Sequence, residues 1–414
     1  MSLPQSNQPT PALKSTLPGA MIFIGGALTV VGALASFIRN DGKEFGFSWL
    51  LAFMFYYSVA LGALFMVMVH HLTDAGWSVG IRRFCEHLAS LLRWPLIIMF
   101  LPVGLLAPKI YQWLSAGTPA TNDLIAAKYP VFTLPGFWIV SAIFFAIWWL
   151  LSSRLSSLSL QQDETGAVEC TRKMRFHSGW GIVAFALTLT FSGVFWMQAT
   201  SYQWFSAMYG VYFFASSVWA ALAFIYVIAV ALLQKNILTP VLKQNYFYFI
   251  GVLLLAFTLL ASYTEFAQYF VVWNANMPTE TFWYLRREEG GWWWLSMLLI
   301  VGKFFVPFFA LLPIHTKTNF KVLIPVCLLI AVMHYADLAF NILPAWHPGR
   351  HHSQWLLLHL GTVLFMGGVL AKIFIAKFNA HPPYPQRDPR LLEAMGMSHN
   401  VVNDLVDANA GGAK

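Results

Sequence analysis

The stretch ASYTEFAQYFVVWNANMPTETFWYLRREEGGWWW, from Ala261 to Trp294, begins as the end of an apolar helix, yet that helix carries Glu265. The chain then passes Pro278 and a run of four charges, Arg286, Arg287, Glu288 and Glu289, before three consecutive tryptophans open the next apolar run. Tryptophan is favoured where a chain crosses between water and lipid, so Trp292, Trp293 and Trp294 read as anchors at a point of re-entry into a membrane. The segment is therefore an extramembrane loop between two spanning helices. Its four charges read as contacts to partner proteins on that face.

The rest of the chain supports the same reading. Of its 414 residues, 58% are hydrophobic and only 10% are charged, and the mean hydropathy is +0.62. Soluble domains carry about 25% charged residues. A net charge of +8 would suggest nucleic acid in a soluble protein. Here the basic residues sit in short segments between apolar runs, which is a pattern of membrane orientation, and nucleic-acid binding is set aside. The three cysteines, Cys85, Cys170 and Cys327, are isolated. None lies in a haem-attachment motif or in a cluster suited to iron–sulfur or zinc, so the chain is expected to hold no covalent or metal cofactor of its own.

Apolar runs of spanning length occur at 18–38, 45–69, 86–107, 134–153, 176–198, 206–233, 246–270, 291–314, 320–343 and 353–376. The expected fold is an all-α integral membrane protein of ten transmembrane helices: an N-terminal segment 1–17, a membrane domain 18–376 and a peripheral C-terminal tail 377–414. Lys14 and the Ala33-Leu34-Ala35 triplet imitate a signal peptide, but the first run is about 20 residues long and reads as an uncleaved span. An even number of spans puts both termini on one face. Fifteen Lys and Arg residues fall on that face and seven on the other, which assigns the termini to the cytoplasm. Two long outer loops, 108–133 and 271–290, are expected to meet partners or cap a site. Spans 2–5 and 6–9 form two blocks of similar length, without enough internal similarity to demonstrate duplication.

Ionisable groups inside a membrane are expensive and mark functional candidates. Glu265 lies near the outer end of span 7 and Lys303 near the middle of span 8. Asp337 and His334 share one face of span 9, and His359 lies near the outer end of span 10. These five residues are expected to converge in the outer half of the bilayer. A quinol must lose protons as it loses electrons, so its oxidation site needs such acceptors. A proton conduit needs similar groups in relay, and a b-type haem held by His334 and His359 is a third chemistry these residues admit. A second cluster, in VHHLTDAGWSVGIRRFCEHLASLLRW, lies at the inner ends of spans 2 and 3. There His71, Asp74, Glu86 and Arg93 are candidates for a proton entry beside His70 and His87, while Arg82 and Arg83 read as orienting charges. Lys372 reads as a snorkelling lysine.

Two stretches, HHLTDAGWSVGIRRFCEHLA and YTEFAQYFVVWNANMPTETFWYLRREEGGWW, resemble signature segments of the ActF-type membrane subunits of alternative complex III, within the wider NrfD and polysulfide-reductase membrane-subunit family. The second is the more specific, with Glu265, Gln268, Tyr269, Trp273, Asn276, Pro278, Trp283 and Tyr284. The resemblance covers nearly the whole chain. It implies two four-helix bundles, spans 2–5 and 6–9, flanked by spans 1 and 10. It also implies a place in a bacterial inner-membrane quinol:electron-acceptor oxidoreductase that reduces cytochrome c or another carrier. Haems and iron–sulfur clusters would reside in multihaem cytochrome c and iron–sulfur partner subunits, beside a homologous ActC-like membrane subunit and, in some complexes, a terminal oxidase. In such complexes the main quinol site is assigned to the ActC-like subunit, and the ionisable residues of each membrane subunit are proposed to form proton half-channels. Two other classes stand beside this reading. A secondary transporter would carry broken helices and midplane polar sites, and a pure assembly scaffold would use none of the buried charges.

Overall fold

The computed structural model describes residues 12–115, 123–239, 241–347 and 355–395. Most of the expected N-terminal segment, the middle of the 108–133 loop and the tail beyond 395 lie outside the described residues. Among the described residues there is no strand, and ten helices are long and apolar enough to cross a membrane. They are α1 (Leu17–Asn40), α2 (Lys43–Thr73), α3 (Gly76–Leu105), α4 (Leu134–Thr165), α5 (Val168–Ser201), α6 (Tyr209–Gln234), α7 (Gln244–Ala275), α8 (Gly291–Leu311), α9 (Phe320–Ala345) and α10 (Leu356–Ala380). The number matches the sequence expectation, but several helices run longer than their apolar stretches. Polar residues such as Glu169, Arg172 and Lys173 continue a helix as readily as apolar ones. At 32 and 34 residues, α4 and α5 reach ~50 Å, well beyond the ~30 Å hydrocarbon core. They project as a hairpin whose turn is closed by Gly166 at φ 68°.

The helices pack as two four-membered rings. In the first, α2 meets α3, α3 meets α4, α4 meets α5 and α5 returns to α2; in the second, α6, α7, α8 and α9 close in the same order. The rings join where α2 lies against α6 and α9, and α5 against α6. Helix α2 is thus enclosed on nearly all sides, with 89% of its spanning window buried, which is why its sequence is apolar all round rather than on one stripe. Helices α1 and α10 flank the bundles as a pair. Lipid supplies little hydrophobic drive between helices, so close association needs small residues that let backbones approach. A Cβ on Gly25 would lie 2.3 Å from the Phe365 backbone nitrogen, and one on Gly368 would lie 2.8 Å from that of Ile22.

The two bundles differ in content. The first is filled with rings: Phe53, Phe100, Phe145, Trp148 and Trp196 pack together. Their polar edges are satisfied by hydroxyls, with Trp148 Nε1 donating to Thr188 and Trp196 Nε1 to Ser141. The second holds the buried Lys303 and Asp337. Each bundle is capped on the face opposite the termini. Tyr111, Trp113 and Phe132 of the 108–133 loop close the first, and a short helix, Pro278–Glu288, closes the second. Leu13 and Asn379 exchange two hydrogen bonds, so the first described residues and the end of α10 lie on one face.

The tail departs from the expectation of a peripheral arm. Tyr384, Leu391 and Ala394 are buried. Tyr246 donates to the Ala394 carbonyl, and the Gln386 amide donates to Asp163. The described part of the tail is therefore a docked lid on the ends of α3, α4 and α7 that lie on the same face as the N-terminal Leu13.

Candidate functional site

Three of the five outer residues form one ion cluster. Lys303 Nζ donates to Asp337 Oδ2 at 2.7 Å and to Glu265 Oε2 at 2.9 Å. The local backbone explains how α8 delivers this lysine. Pro307 has no N–H, and its ring would crowd the carbonyl of Lys303 four residues earlier. The chain answers with a π turn over Ile300–Phe305, in which the Val306 amide bonds to Val301. Such widened turns recur at functional positions. Here the turn carries Lys303 into the bundle.

Asp337 is fully buried and Lys303 is 2% exposed, whereas Glu265 is 33% exposed at the edge of the bundle. Glu265 is thus the member of the cluster that the surroundings can reach. Two carboxylates face one ammonium, which leaves one negative charge unbalanced. With all three groups charged the cluster carries −1, and one added proton would make it neutral.

A polar scaffold holds Asp337. Asn341, one turn on, donates to the Asp337 carbonyl and to Tyr212 Oη, both at 2.9 Å, while Tyr209 Oη donates to Asn341 Oδ1 at 3.1 Å. The ring of Tyr212 lies under Lys303, 4.8 Å from Nζ. Sequence reasoning missed Asn341 and both tyrosines because it weighed only ionisable groups. The signal was present as a polar residue four positions from Asp337 on the same face of an apolar helix.

The two histidines separate from this cluster. His334 lies one turn deeper on α9, with Nε2 2.7 Å from Ser58 Oγ on α2. The Ser58 hydroxyl itself donates to the Phe55 carbonyl, so His334 Nε2–H is the donor and Nδ1 bears a lone pair. That Nδ1 is buried and has no hydrogen-bond partner among the described residues. His359 Nδ1 lies 2.7 Å from Ser48 on the same helix. Ser48 and Ser58 are ten residues, or ~15 Å, apart along α2, so the two imidazoles do not face each other as a haem axial pair would.

His359 instead belongs to a second buried acid, Glu44, which the sequence analysis did not single out. Glu44 accepts from Trp346 Nε1 at 3.1 Å, its Oε2 lies 2.6 Å from His347 Nε2, and its Oε1 lies 3.7 Å from His359 Nε2. Its place just ahead of an apolar run made it look like a loop residue. In the structure it sits in the first turn of α2, where the helix dipole favours a carboxylate.

The cap corrects the expectation for one of the four loop charges. Arg287 points inward, donating to the carbonyls of Trp283, Phe340 and Asn341, with its guanidinium 3.3 Å from the Trp283 ring centre. Trp283 in turn stacks on Trp204 at 4.3 Å. Burial pulls the Arg287 pKa down to about 9, which leaves it charged at neutral pH. Trp292 is also buried and donates to the His347 carbonyl, so only Trp293 and Trp294 are exposed enough to act as interface anchors.

At the inner face, Arg82 and Arg83 are buried rather than orienting charges on a surface. Glu86 receives Arg82 at 3.3 Å and Arg83 at 3.2 Å; Arg82 also pairs with Asp388 of the tail, and Arg83 with Asp163 of α4. Arg82 donates to His70 Nε2 at 3.0 Å, which assigns the ring proton to Nδ1, facing Ser78. Of the four residues expected at a proton entry, only Glu86 sits in this network. His71 is buried beside His70 with Nε2 unpartnered among the described residues. Asp74 is half-exposed and pairs with Arg175 and Arg390. Arg93 reaches Ser152 and Ser156 on α4. His87 stacks on His381, 5.7 Å between centroids; burial, with Arg83 and Lys377 nearby, holds the His381 pKa below the usual imidazole range.

The two polar regions are not continuous along α2. Between Ser58 and His70 every residue is apolar or glycine, a distance of ~18 Å. Compared with known protein families and with curated proteins, the chain matches none.

Proposed function

We propose that this chain is a membrane subunit of a quinol-oxidising respiratory complex, and that the Glu265–Lys303–Asp337 cluster takes up and releases a proton in step with electron transfer in partner subunits. The observation that carries this reading is the buried cluster itself. Its two carboxylates and one ammonium count to one exchangeable proton, and Glu265 alone of the three is substantially exposed, at the edge of the bundle. Next to it, His334 Nδ1 offers a buried lone pair one turn deeper. A quinol oxidised nearby releases two electrons and two protons, and Glu265 is positioned to accept one of those protons or to pass one outward. The resemblance to ActF-type subunits supplies the rest of the proposal: haem and iron–sulfur partner subunits, an ActC-like neighbour, cytochrome c or another carrier as acceptor, and a bacterial inner membrane with both termini in the cytoplasm.

The ~18 Å apolar interval along α2 supports two half-channels rather than one static wire along that helix. Coupling then requires a rearrangement of helices, for which a two-state element must be demonstrated. The test is to replace Asp337 by Asn and Glu265 by Gln in the assembled complex. Loss of quinol turnover or of proton translocation in both, with assembly intact, is the expected result. Unchanged activity in both removes the assignment and favours a scaffold. Purification alone, without haem or iron–sulfur subunits, favours a transporter.

A further inference from the structure

The cleft between the end of α7 and the Pro278–Glu288 helix is separate from the proton reading. It encloses about 400 Å³ and is lined by the rings of Tyr269, Trp273 and Tyr284 together with Asn276, Thr281 and Glu288. The Tyr269 ring centre lies 5.7 Å from that of Trp273 and 5.1 Å from that of Tyr284. No Lys or Arg lines the cleft. The two arginines beside Glu288 in sequence are turned to other rings, Arg286 over Phe282 at 5.0 Å and Arg287 onto Trp283. Among the described residues, Glu288 has neither an ion pair nor a hydrogen bond. A carboxylate without a counter-charge, set among aromatic faces, is the chemistry that recognises an ammonium group.

The cleft's position narrows the source of that group. Trp273 lines it and is exposed, and Trp293 and Trp294 are exposed at the start of α8, a tryptophan pattern that marks the level where lipid headgroups lie. From Trp273 the exposed stripe of α7 continues through Phe270 and Phe266, whose rings stack at 5.9 Å. The seven-residue step from Trp273 to Phe266 descends ~10 Å along the helix. A polar, anionic cup thus stands above an apolar track. Asn276 and Thr281 add side-chain hydrogen-bond donors at the rim, and those donors suit a phosphate.

We propose that this cleft binds a phospholipid with an ethanolamine headgroup, its ammonium against Glu288 and the aromatic rings and one acyl chain along Phe270 and Phe266. A primary ammonium gives Glu288 N–H hydrogen bonds that a choline headgroup cannot, and an anionic headgroup without an ammonium would meet an unpaired carboxylate.

The full chain, with whatever subunits accompany it, is placed in nanodiscs of equal parts phosphatidylethanolamine, phosphatidylcholine and phosphatidylglycerol. Lipids retained on ejection are then counted by native mass spectrometry. One phosphatidylethanolamine is expected to be retained over phosphatidylglycerol by on the order of fivefold, the size of one ammonium–aromatic contact. That preference should fall toward unity in both E288Q and W273L, two exposed positions where the change leaves the bundle intact. Equal retention of the ethanolamine and glycerol lipids, equal retention of the choline lipid, or an undiminished preference in both variants would each overturn the proposal.

Discussion

Replacing Lys303 by Met separates the electrostatics of the buried cluster from its packing. Methionine is unbranched, matches the four-atom stem of lysine with a sulfur in place of one methylene, and lacks the ammonium. Asp337, with no exposed surface, and Glu265, one-third exposed, then share a site with no cation. Removing one partner of a buried pair costs about 3–5 kcal/mol, because the remaining charge is left uncompensated. Asp337 retains its contact with Asn341 at 3.4 Å, and the extra carboxylate can take up a proton, so the lower end, about 3 kcal/mol, is expected. Adding Asp337→Asn removes the second buried charge and leaves Glu265 at a partly exposed edge. The double variant should therefore recover much of the loss, and the cycle should yield a coupling of about 2 kcal/mol. The assay is the midpoint of unfolding in mixed micelles titrated with dodecyl sulfate, for wild type, both single variants and the double. A Lys303→Met variant within about 1 kcal/mol of wild type, or additive single effects, would show that the three groups are not a charge-balanced unit.

Two other outcomes follow from the caps and the tail. Arg287→Met leaves three buried carbonyls without their donor and is expected to destabilise the outer cap by about 3 kcal/mol. Arg287→Lys should recover only part of that, since an ammonium cannot reproduce the planar fork; equal stability of the two variants would contradict this. The tail lid should loosen as pH falls. His381 faces His87, Arg83, Lys377 and Asp163, and its pKa is held low when docked. Above ~6.5, the ordinary imidazole value, it is neutral whether docked or free. Below that, the free tail binds the proton more readily, so docking stability is lost as pH falls. Limited proteolysis of the tail with a protease active from pH 5 to 8 should accelerate toward the acid end, and less so in His381→Gln. A rate independent of pH, or an identical profile in the variant, would count against the lid.

Sequence and structure each supplied a different part of this picture. That ten apolar helices would form, and roughly where, was legible in the sequence, because length and hydropathy are one-dimensional properties and lipid punishes any unpaired backbone. That Glu265, Lys303 and Asp337 lie at one height in the bundle was legible too, since helical rise converts residue number into height. Which groups meet at a given depth was not. His359 lies in the same outer half yet bonds to Ser48 and the overlooked Glu44, because rotation about the helix axis and the choice of neighbour come from packing. Arg82, Arg83 and Arg287 show the same limit. A positive charge at a helix end is read as solvated until folding places carboxylates or carbonyls around it, and only the assembled bundles bring Asp163, Asp388 and the end of α9 to those three guanidiniums.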